Sequence, residues 1–306
     1  MRDDSASSLV QRTLFDGEWL QIGYIDVRPT SSECGELESS ALNVLALPLA
    51  GVFAKHDGPR RHAIATPSHA LLISADKPYR LSFPGCIGDE CLALRFSRAA
   101  LAQVMPEAMS ADGFDESTFA SHTPLPPAVM LARSLLWQRF ATDTVDALEA
   151  EERALDLLEA TLAAARKERH ARSTVGAGSW RRGRRVARAV EAIEAEPERR
   201  WTLATLGALA CVSPGHLAHL FRTELEISVY DYVVRSRLSR ALDAVLDSDA
   251  GLTEIALDAG FASHSHFTAR FRAFFGQTPQ QLRRGVRGAV ARELRRIATA
   301  PETATA

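Results

Sequence analysis

The sequence predicts an α+β chain with a strand-rich N-terminal part, a helical middle and an all-α C-terminal part. Three observations predict this fold class. Short apolar runs separated by turn residues occupy residues 15–97. Apolar residues recur at helical spacing from residue 127 onwards. Two helical segments around residues 206–222 are then repeated at an offset of 49 to 50 residues.

The N-terminal part, residues 1–126, is predicted to fold as a β domain. Proline, glycine and aspartate residues separate its apolar runs, as is typical of turns. Many short strands at regular spacing favour an antiparallel sandwich or barrel. The predicted strands are residues 21–27, 42–49, 71–74, 80–83 and 92–96.

The middle of the chain, residues 127–170, is predicted to form a helical hairpin. Leu148, Leu155 and Leu162 lie one heptad apart in its second helix. The hairpin can pack on the β domain or against a second subunit, and the helix over residues 145–162 is the expected surface of a homodimer. Residues 171–180 are small and polar and are predicted to be a flexible linker, and residues 291–306 a polar tail.

Composition argues against several classes of protein. The chain has 306 residues, of which 46% are hydrophobic and 24% charged, which indicates a globular protein of about two domains. Four scattered cysteines without a CxxC pair argue against a disulfide scaffold and a zinc site. The N-terminus lacks a signal-peptide pattern, and no apolar run approaches the roughly 18 residues of a membrane span. We therefore expect a reduced, cytoplasmic protein that does not enter a membrane.

Charge is distributed unevenly along the chain. Its net charge is −2, but the segment from Arg181 to Arg296 has 19 arginines, no lysine and 13 acidic residues, a net charge of +6. The remainder has 17 basic and 25 acidic residues, a net charge of −8. A basic C-terminal third attached to an acidic body indicates a nucleic-acid-binding domain, although arginines also solvate ordinary helices.

The basic region, predicted as a domain over residues 181–290, contains an internal repeat. Residues 206–212 (LGALACV) align with 255–261 (IALDAGF), and residues 216–222 (HLAHLFR) with 266–272 (HFTARFR). Each copy is predicted to be a helix, a turn and a second helix, with a serine in the turn as N-cap. A long helix over residues 229–246 joins the copies, which gives two helix-turn-helix motifs on one rod.

The two copies and the residues that follow them contain a set of motif residues at fixed spacing: Ser213, Pro214, Leu217, Phe221, Ile255, Ala256, Gly260, Phe261, Phe267, Phe271, Gly276 and Pro279. With this set, residues 199–284 closely resemble the DNA-binding domain of AraC/XylS-type transcription regulators. The resemblance covers over a quarter of the chain and its second half is highly specific. It implies a sequence-specific transcription regulator, an activator or repressor, that binds double-stranded DNA and is not an enzyme.

The resemblance further implies that the second helix of each copy is a recognition helix that enters the major groove. Two helices about 34 Å apart, one turn of DNA, would read adjacent major grooves. The candidate base contacts are Gly215, Ala218, His219, His264, Ser265, Thr268 and Ala269. The candidate phosphate contacts are Arg222, Arg272, Arg181 and Arg182. The two histidines can contact either a base or a phosphate, and the two alanines have room for a thymine methyl group.

Three residues of the first copy depart from the family pattern. Gly207 stands where the family prefers alanine, and Cys211 and Glu226 stand where it prefers glycine. The partners of these residues in the second copy are Ala256, Gly260 and Gly276. We expect the departures to loosen the first helix or strain the turns of the first copy.

The family resemblance also implies that the N-terminal part is a cupin-like β-barrel that senses a small-molecule effector or dimerises. Contact with RNA polymerase is a further possible implication. The histidines at positions 56, 62 and 69 lack the His-x-His spacing of metal-binding cupins, so we expect neither a metal nor a cofactor. Two other classes remain open: a DNA-associated enzyme with a catalytic barrel, and an architectural DNA-binding protein without an effector.

Overall fold

The structure is a computed structural model that describes residues 8–58, 62–104, 109–110, 113–114, 122–142, 145–171 and 180–286. The predicted linker lies almost wholly outside the described residues, and the predicted polar tail lies entirely outside them. The chain forms two compact units, residues 1–236 and 237–306, which are described in turn.

Eleven strands and ten helices are described. The strands are β1 (Ser8–Asp16), β2 (Leu20–Arg28), β3 (Asn43–Gly51), β4 (Phe53–His56), β5 (His62–Ala65), β6 (His69–Ile73), β7 (Arg80–Ser82), β8 (Asp89–Phe96), β9 (Met109–Ser110), β10 (Gly113–Phe114) and β11 (His122–Pro124). The helices are α1 (Arg98–Val104), α2 (Pro127–Ala141), α3 (Ala147–Ala171), α4 (Trp180–Ala195), α5 (Leu203–Leu209), α6 (Pro214–Glu224), α7 (Val229–Asp247), α8 (Leu252–Asp258), α9 (His264–Phe275) and α10 (279–286). All five predicted strands are present, as β2, β3, β6, β7 and β8.

The strands form a six-stranded sheet in the order β1-β2-β8-β3-β6-β11 and a three-stranded sheet in the order β5-β4-β7, with β9 and β10 as a separate pair. The pairings within both larger sheets are antiparallel. A buried apolar layer fills the space between these two sheets, with Ala46 and Leu71 from the larger sheet and Phe53 and Ala65 from the smaller one. We call these strands the sheet domain.

The predicted cupin-like barrel is not confirmed. In the described part of the chain the two sheets stay separate and no closed barrel is found. The larger sheet begins at β1, an edge strand whose first six residues are exposed. Sequence patterning missed β1 because an edge strand exposed on both faces has no apolar alternation.

Helices α2 and α3 lie against the sheet domain and against each other. The buried guanidinium of Arg133 on α2 donates from Nη1 to the carbonyl oxygens of Pro48 and Pro67. Trp137 on the same helix stacks on Tyr24 of β2, with ring centroids 4.9 Å apart. These contacts attach α2 to the larger sheet through both polar and aromatic groups.

Helices α4 to α6 share one hydrophobic core with the sheet domain. Val52, which precedes β4, and Ile64 of β5 are buried in the same cluster as Val190 of α4 and as Leu217 and Phe221 of α6. All five side chains are at most 1% exposed. The smaller sheet therefore completes the core of these helices.

A buried carboxyl adds a polar contact between α4 and the sheet domain. Glu191, only 6% exposed, accepts a 2.5 Å hydrogen bond from the backbone N–H of Gly85 in the turn after β7. A Cβ at position 85 would lie 1.9 Å from Glu191 Oε2, so only glycine allows this approach. Burial raises the pKa of Glu191 to about 7, against the opposing effects of the Gly85 hydrogen bond and Arg188.

The second unit contains the C-terminal part of α7 together with α8, α9 and α10. The rings of Phe261, Phe267 and Phe271 contact one another in sequence, the first pair tilted and the second edge-to-face, with centroids 5.3 and 5.4 Å apart. Arg237 Nη1 donates to the carbonyl oxygen of Gly260 at 2.7 Å, and Arg283 Nη1 to that of Ala250 at 2.7 Å. The second unit therefore combines an aromatic core with half-buried arginines that donate to loop carbonyl oxygens.

The described helices differ in length and in apolar composition. None of them alone has the length and apolar composition needed to cross a membrane, and only α5 and α6 taken together, bent by 80°, meet that test.

Glu191→Gln is expected to stabilise the fold selectively at alkaline pH. Folding raises the pKa of Glu191, so the folded chain binds more protons than the unfolded chain between pH 4.5 and 7. The contribution of the protonated carboxyl is therefore present at acid pH and lost as the pH rises through about 7. Glutamine keeps the acceptor for Gly85 and does not ionise, so it should gain about 2 kcal/mol at pH 8 and little at pH 5.

Thermal unfolding at both pH values measures this difference. Exposed Glu152→Gln on α3 is the control, and it should change the melting temperature equally at pH 5 and pH 8. A Glu191→Gln variant that behaved like this control would contradict the prediction.

Candidate nucleic-acid interface

The first helix-turn-helix motif, residues 202–226, is built from α5, a short turn and α6. The capping box between Thr202 and Thr205 starts α5. Ser213 starts α6, since its Oγ accepts a 3.3 Å hydrogen bond from the backbone N–H of His216, and Pro214 follows at the first helical position. Leu217 and Phe221 are fully buried.

The second motif, residues 251–276, repeats this arrangement with α8 and α9. Ser263 Oγ accepts a 3.1 Å hydrogen bond from the backbone N–H of His266. Gly276 ends α9 in the left-handed conformation. The remaining predicted structural residues of this motif and the start of α10 are buried, apart from half-buried Gly260: Ile255, Ala256, Phe261, Phe267, Phe271 and Pro279.

The candidate base contacts lie at the N-terminal ends and outer faces of α6 and α9. Ala218 and Thr268 are half-buried and the others are exposed: Gly215, His219, His264, Ser265 and Ala269. The Thr268 hydroxyl lies 3.5 Å from His264 Nε2, one turn away on the same helix. Each helix therefore presents small and polar side chains on one face and buries apolar ones on the other.

The four candidate phosphate contacts differ in their surroundings. Arg222 and Arg272 lie exposed in the last turns of α6 and α9, and Arg181 is exposed in the first turn of α4. Arg182 is half-buried, and its Nε lies 4.0 Å from the buried carboxylate of Glu224. A phosphate would have to compete with that carboxylate for Arg182.

The departures of the first motif have visible structural consequences. Cys211 has φ 54° and Glu226 has φ 62°, whereas their counterparts Gly260 and Gly276 have φ 80° and 77°. The backbone thus makes the same left-handed turns in both motifs. Only in the first motif do residues with a side chain adopt this left-handed conformation, at a cost of about 1–2 kcal/mol per residue.

Gly207 is explained by close packing. A Cβ at this position would lie 2.8 Å from the carbonyl oxygen of Val212 in the following turn. The Val212 N–H donates to the Gly207 carbonyl oxygen at 2.9 Å, as the Phe261 N–H does to the Ala256 carbonyl oxygen in the second motif. Alanine at position 207 would require this turn to shift.

Sequence reasoning missed the polar groups that join the first motif to the sheet domain. His62 of β5 donates from Nε2 to Glu224 Oε2 at 3.0 Å, across 162 residues of sequence. The ring of Trp180 lies between His56 and His62, with centroids 4.4 and 5.1 Å away. Burial, aided by His62, lowers the pKa of His56 despite the nearby Asp57. Neither apolar periodicity nor motif spacing signals a contact at this sequence separation.

Comparisons with known proteins agree with this geometry. A family model described as "Helix-turn-helix domain" matches residues 206–285. The HTH-type transcriptional regulator ArgR of Pseudomonas aeruginosa is 32% identical over 109 residues, which are 36% of this chain and 33% of ArgR. A putative AraC-like transcription regulator of Streptomyces lividans is 30% identical over 99 residues, 32% of this chain and 33% of that protein.

A comparison with solved structures also finds a partial similarity. The AraC-type regulator structure from Chromobacterium violaceum is 28% identical and has a TM-score of 0.32, covering 32% of this chain and 88% of that one. The chain matches about a third of the length of the curated relatives named above.

The two capped helix pairs define a DNA-binding domain of the helix-turn-helix class. Within that class, the C-terminal region of this chain is similar to AraC-type regulators, which agrees with the resemblance inferred from its motif residues.

Glycine at the two strained positions is expected to stabilise the first motif. Cys211→Gly and Glu226→Gly should each gain about 1 kcal/mol, because glycine adopts positive φ without the Cβ clash but loses more chain entropy on folding. Hydrogen-exchange protection of the α5 and α6 amides measures this local stability.

Gly276→Ala in the second motif is the reverse control. A Cβ there meets no atom within 4 Å, so its expected loss of about 1 kcal/mol would come from φ alone. Unchanged or reduced protection in both glycine variants would show that these turns carry no strain.

Proposed function

We propose that this chain is a sequence-specific transcription regulator whose α6 and α9 helices enter adjacent major grooves of DNA. The observation that carries the proposal is the duplicated arrangement of a serine-capped helix with an exposed N-terminal face. Helix N-termini point backbone N–H groups and positive partial charge outward, which suits approach to the negatively charged groove. The net charge of +6 between Arg181 and Arg296 supports the same partner.

The side chains on these faces divide into two roles. His219 and His264 are exposed and can hydrogen-bond to base edges, and Ala218 and Ala269 leave space for thymine methyl groups. Arg222 and Arg272, one or two turns further along, are placed to hold phosphates and fix the register of the helices. The short side chains predict modest discrimination by each helix alone.

For the N-terminal part we propose control of DNA binding by a small-molecule effector or by dimerisation, in the cytoplasm, with RNA polymerase as a further partner. A cupin-like relationship of the sheet domain stays a proposal from the family resemblance. Leu148 of α3, 66% exposed, supports the predicted homodimer surface on that helix. An effector would act by favouring one of two arrangements of the chain.

Selection of binding sites from a random duplex pool tests the proposed function. The full-length protein at near-physiological salt should enrich two short elements about one helical turn apart. Binding governed only by salt concentration, with no enriched sequence, would instead indicate an architectural protein.

Arg222→Ala and Arg272→Ala should each weaken DNA binding without changing the selected sequence. A lost phosphate contact lowers the slope of log affinity against log salt by about 1. Affinity measured over a salt series gives this slope. Arg153→Ala on α3, where the arginine is exposed and bound to Asp156, is the matched control and should leave the slope unchanged. An altered base preference in either variant would reassign that arginine to base reading.

A further inference from the structure

The last turn of α6 is joined to the sheet domain by a buried ionisable pair. The side chains of His62 and Glu224 are 3% and 8% exposed, and their Nε2 and Oε2 atoms are 3.0 Å apart. Arg182 of α4 lies 4.0 Å from the other carboxylate oxygen of Glu224. The next residue, Leu225, accepts a 3.4 Å hydrogen bond at its carbonyl oxygen from His69 Nε2 of β6. We call these contacts the α6 latch.

Without the sheet domain, a glutamate at position 224 would be energetically unfavourable. A carboxylate in the last turn of a helix faces the negative end of the helix dipole. Burial adds a desolvation cost that only a paired partner offsets. His62 provides that partner from the sheet domain, so the position of Glu224 is explained by the latch and not by α6 itself.

The glycine at position 183 of α4 is also explained by a contact with the sheet domain. It interrupts an arginine-rich helix, where alanine would favour the helix by about 1 kcal/mol. A Cβ at this position would lie 2.3 Å from His62 Nε2. The glycine therefore allows the His62 ring to reach Glu224 between the two helices.

The first motif also depends on the sheet domain for its apolar packing. Val52 and Ile64 fill part of the core that surrounds Phe221. The motif meanwhile has two side chains in left-handed turns, at Cys211 and Glu226. A motif with strained turns and a core completed from outside gains from any contact that holds it in place.

We propose that the α6 latch makes the first motif the regulated DNA reader of this chain. The recognition face of α6 is exposed while the latch is closed, so the closed latch leaves that face open to DNA. The latch holds α6 ordered before DNA arrives, and a change in the sheet domain that opens it lowers affinity for the first DNA element. This inference rests on the proposed function only where its test measures DNA binding.

A double-mutant cycle on the full chain tests the latch. Glu224→Ala, His62→Ala and the double variant are compared by hydrogen exchange of the α6 and α9 amides. Each single variant should accelerate exchange in α6 and leave exchange in α9 unchanged. The double variant should not accelerate exchange in α6 beyond the rate of either single variant. By its local effect alone, Glu224→Ala would slow exchange in α6, because alanine favours the helix and removes the adverse charge.

DNA binding provides the second readout. The first element is the half-site whose contribution disappears in His219→Ala. Both latch variants should lose about fivefold or more in affinity for DNA that contains this element, and nothing for DNA that contains only the other element. Glu254→Gln on α8 is the charge control: loss of an exposed carboxylate should leave affinity unchanged or raise it slightly.

Three results would overturn the proposal. They are unchanged or slower exchange in α6, equal acceleration in α6 and α9, and an accelerated α6 with unchanged affinity for every DNA. If Glu224→Ala does not fold, the more conservative Glu224→Gln, which keeps the size of the side chain and removes the charge of the pair, is measured in its place with the same expected pattern. A protein that selects no DNA sequence would contradict the proposed function, while the exchange data would still decide whether the latch exists.

Discussion

The structure of the first unit depends on one shared apolar core. The smaller sheet shares part of its interior with the helices α4 to α6, because Val52 and Ile64 are buried among the helix residues. Two buried polar contacts lie beside this packing, where an enclosed carboxyl or imidazole needs a partner. Glu191 has the Gly85 N–H, and Glu224 has His62. The chain thus departs from the arrangement of an independent DNA-binding domain tied to a sensor only by a linker.

The two helix-turn-helix motifs have matching turns but different side chains in those turns and in their cores. Their turns have matching left-handed residues, and both recognition helices begin at a serine cap. The second motif uses glycine at both left-handed positions and an aromatic core of phenylalanines. The first motif has Cys211 and Glu226 at those positions and mainly aliphatic side chains around Phe221 in its core. The sheet domain completes that core, which gives the departures of the first motif a structural context.

The sequence predicted what local physics determines and missed what distant contacts determine. Serine caps, the proline after Ser213 and the helical period of the apolar residues act within a few residues, so the helix pairs could be placed from them. The exposed edge strand β1 has no apolar alternation, and the short strands β4 and β5 lie beside turn residues. The contact between His62 and Glu224 spans 162 residues and left only one local trace, a glycine at position 183 within an arginine-rich helix.

Coupling through a shared core has a thermodynamic consequence in both directions. If a closed latch favours DNA binding by α6, bound DNA must favour the closed latch by the same free energy. An effector would therefore control the first reader only through a difference in its affinity for the open and closed arrangements, however tightly it binds. The side chains of His62 and Glu224, which form the centre of the latch, are buried. Small rearrangements near β4 and β5 would accordingly reach α6 more directly than rearrangements at the exposed strand β1, on the far edge of the larger sheet.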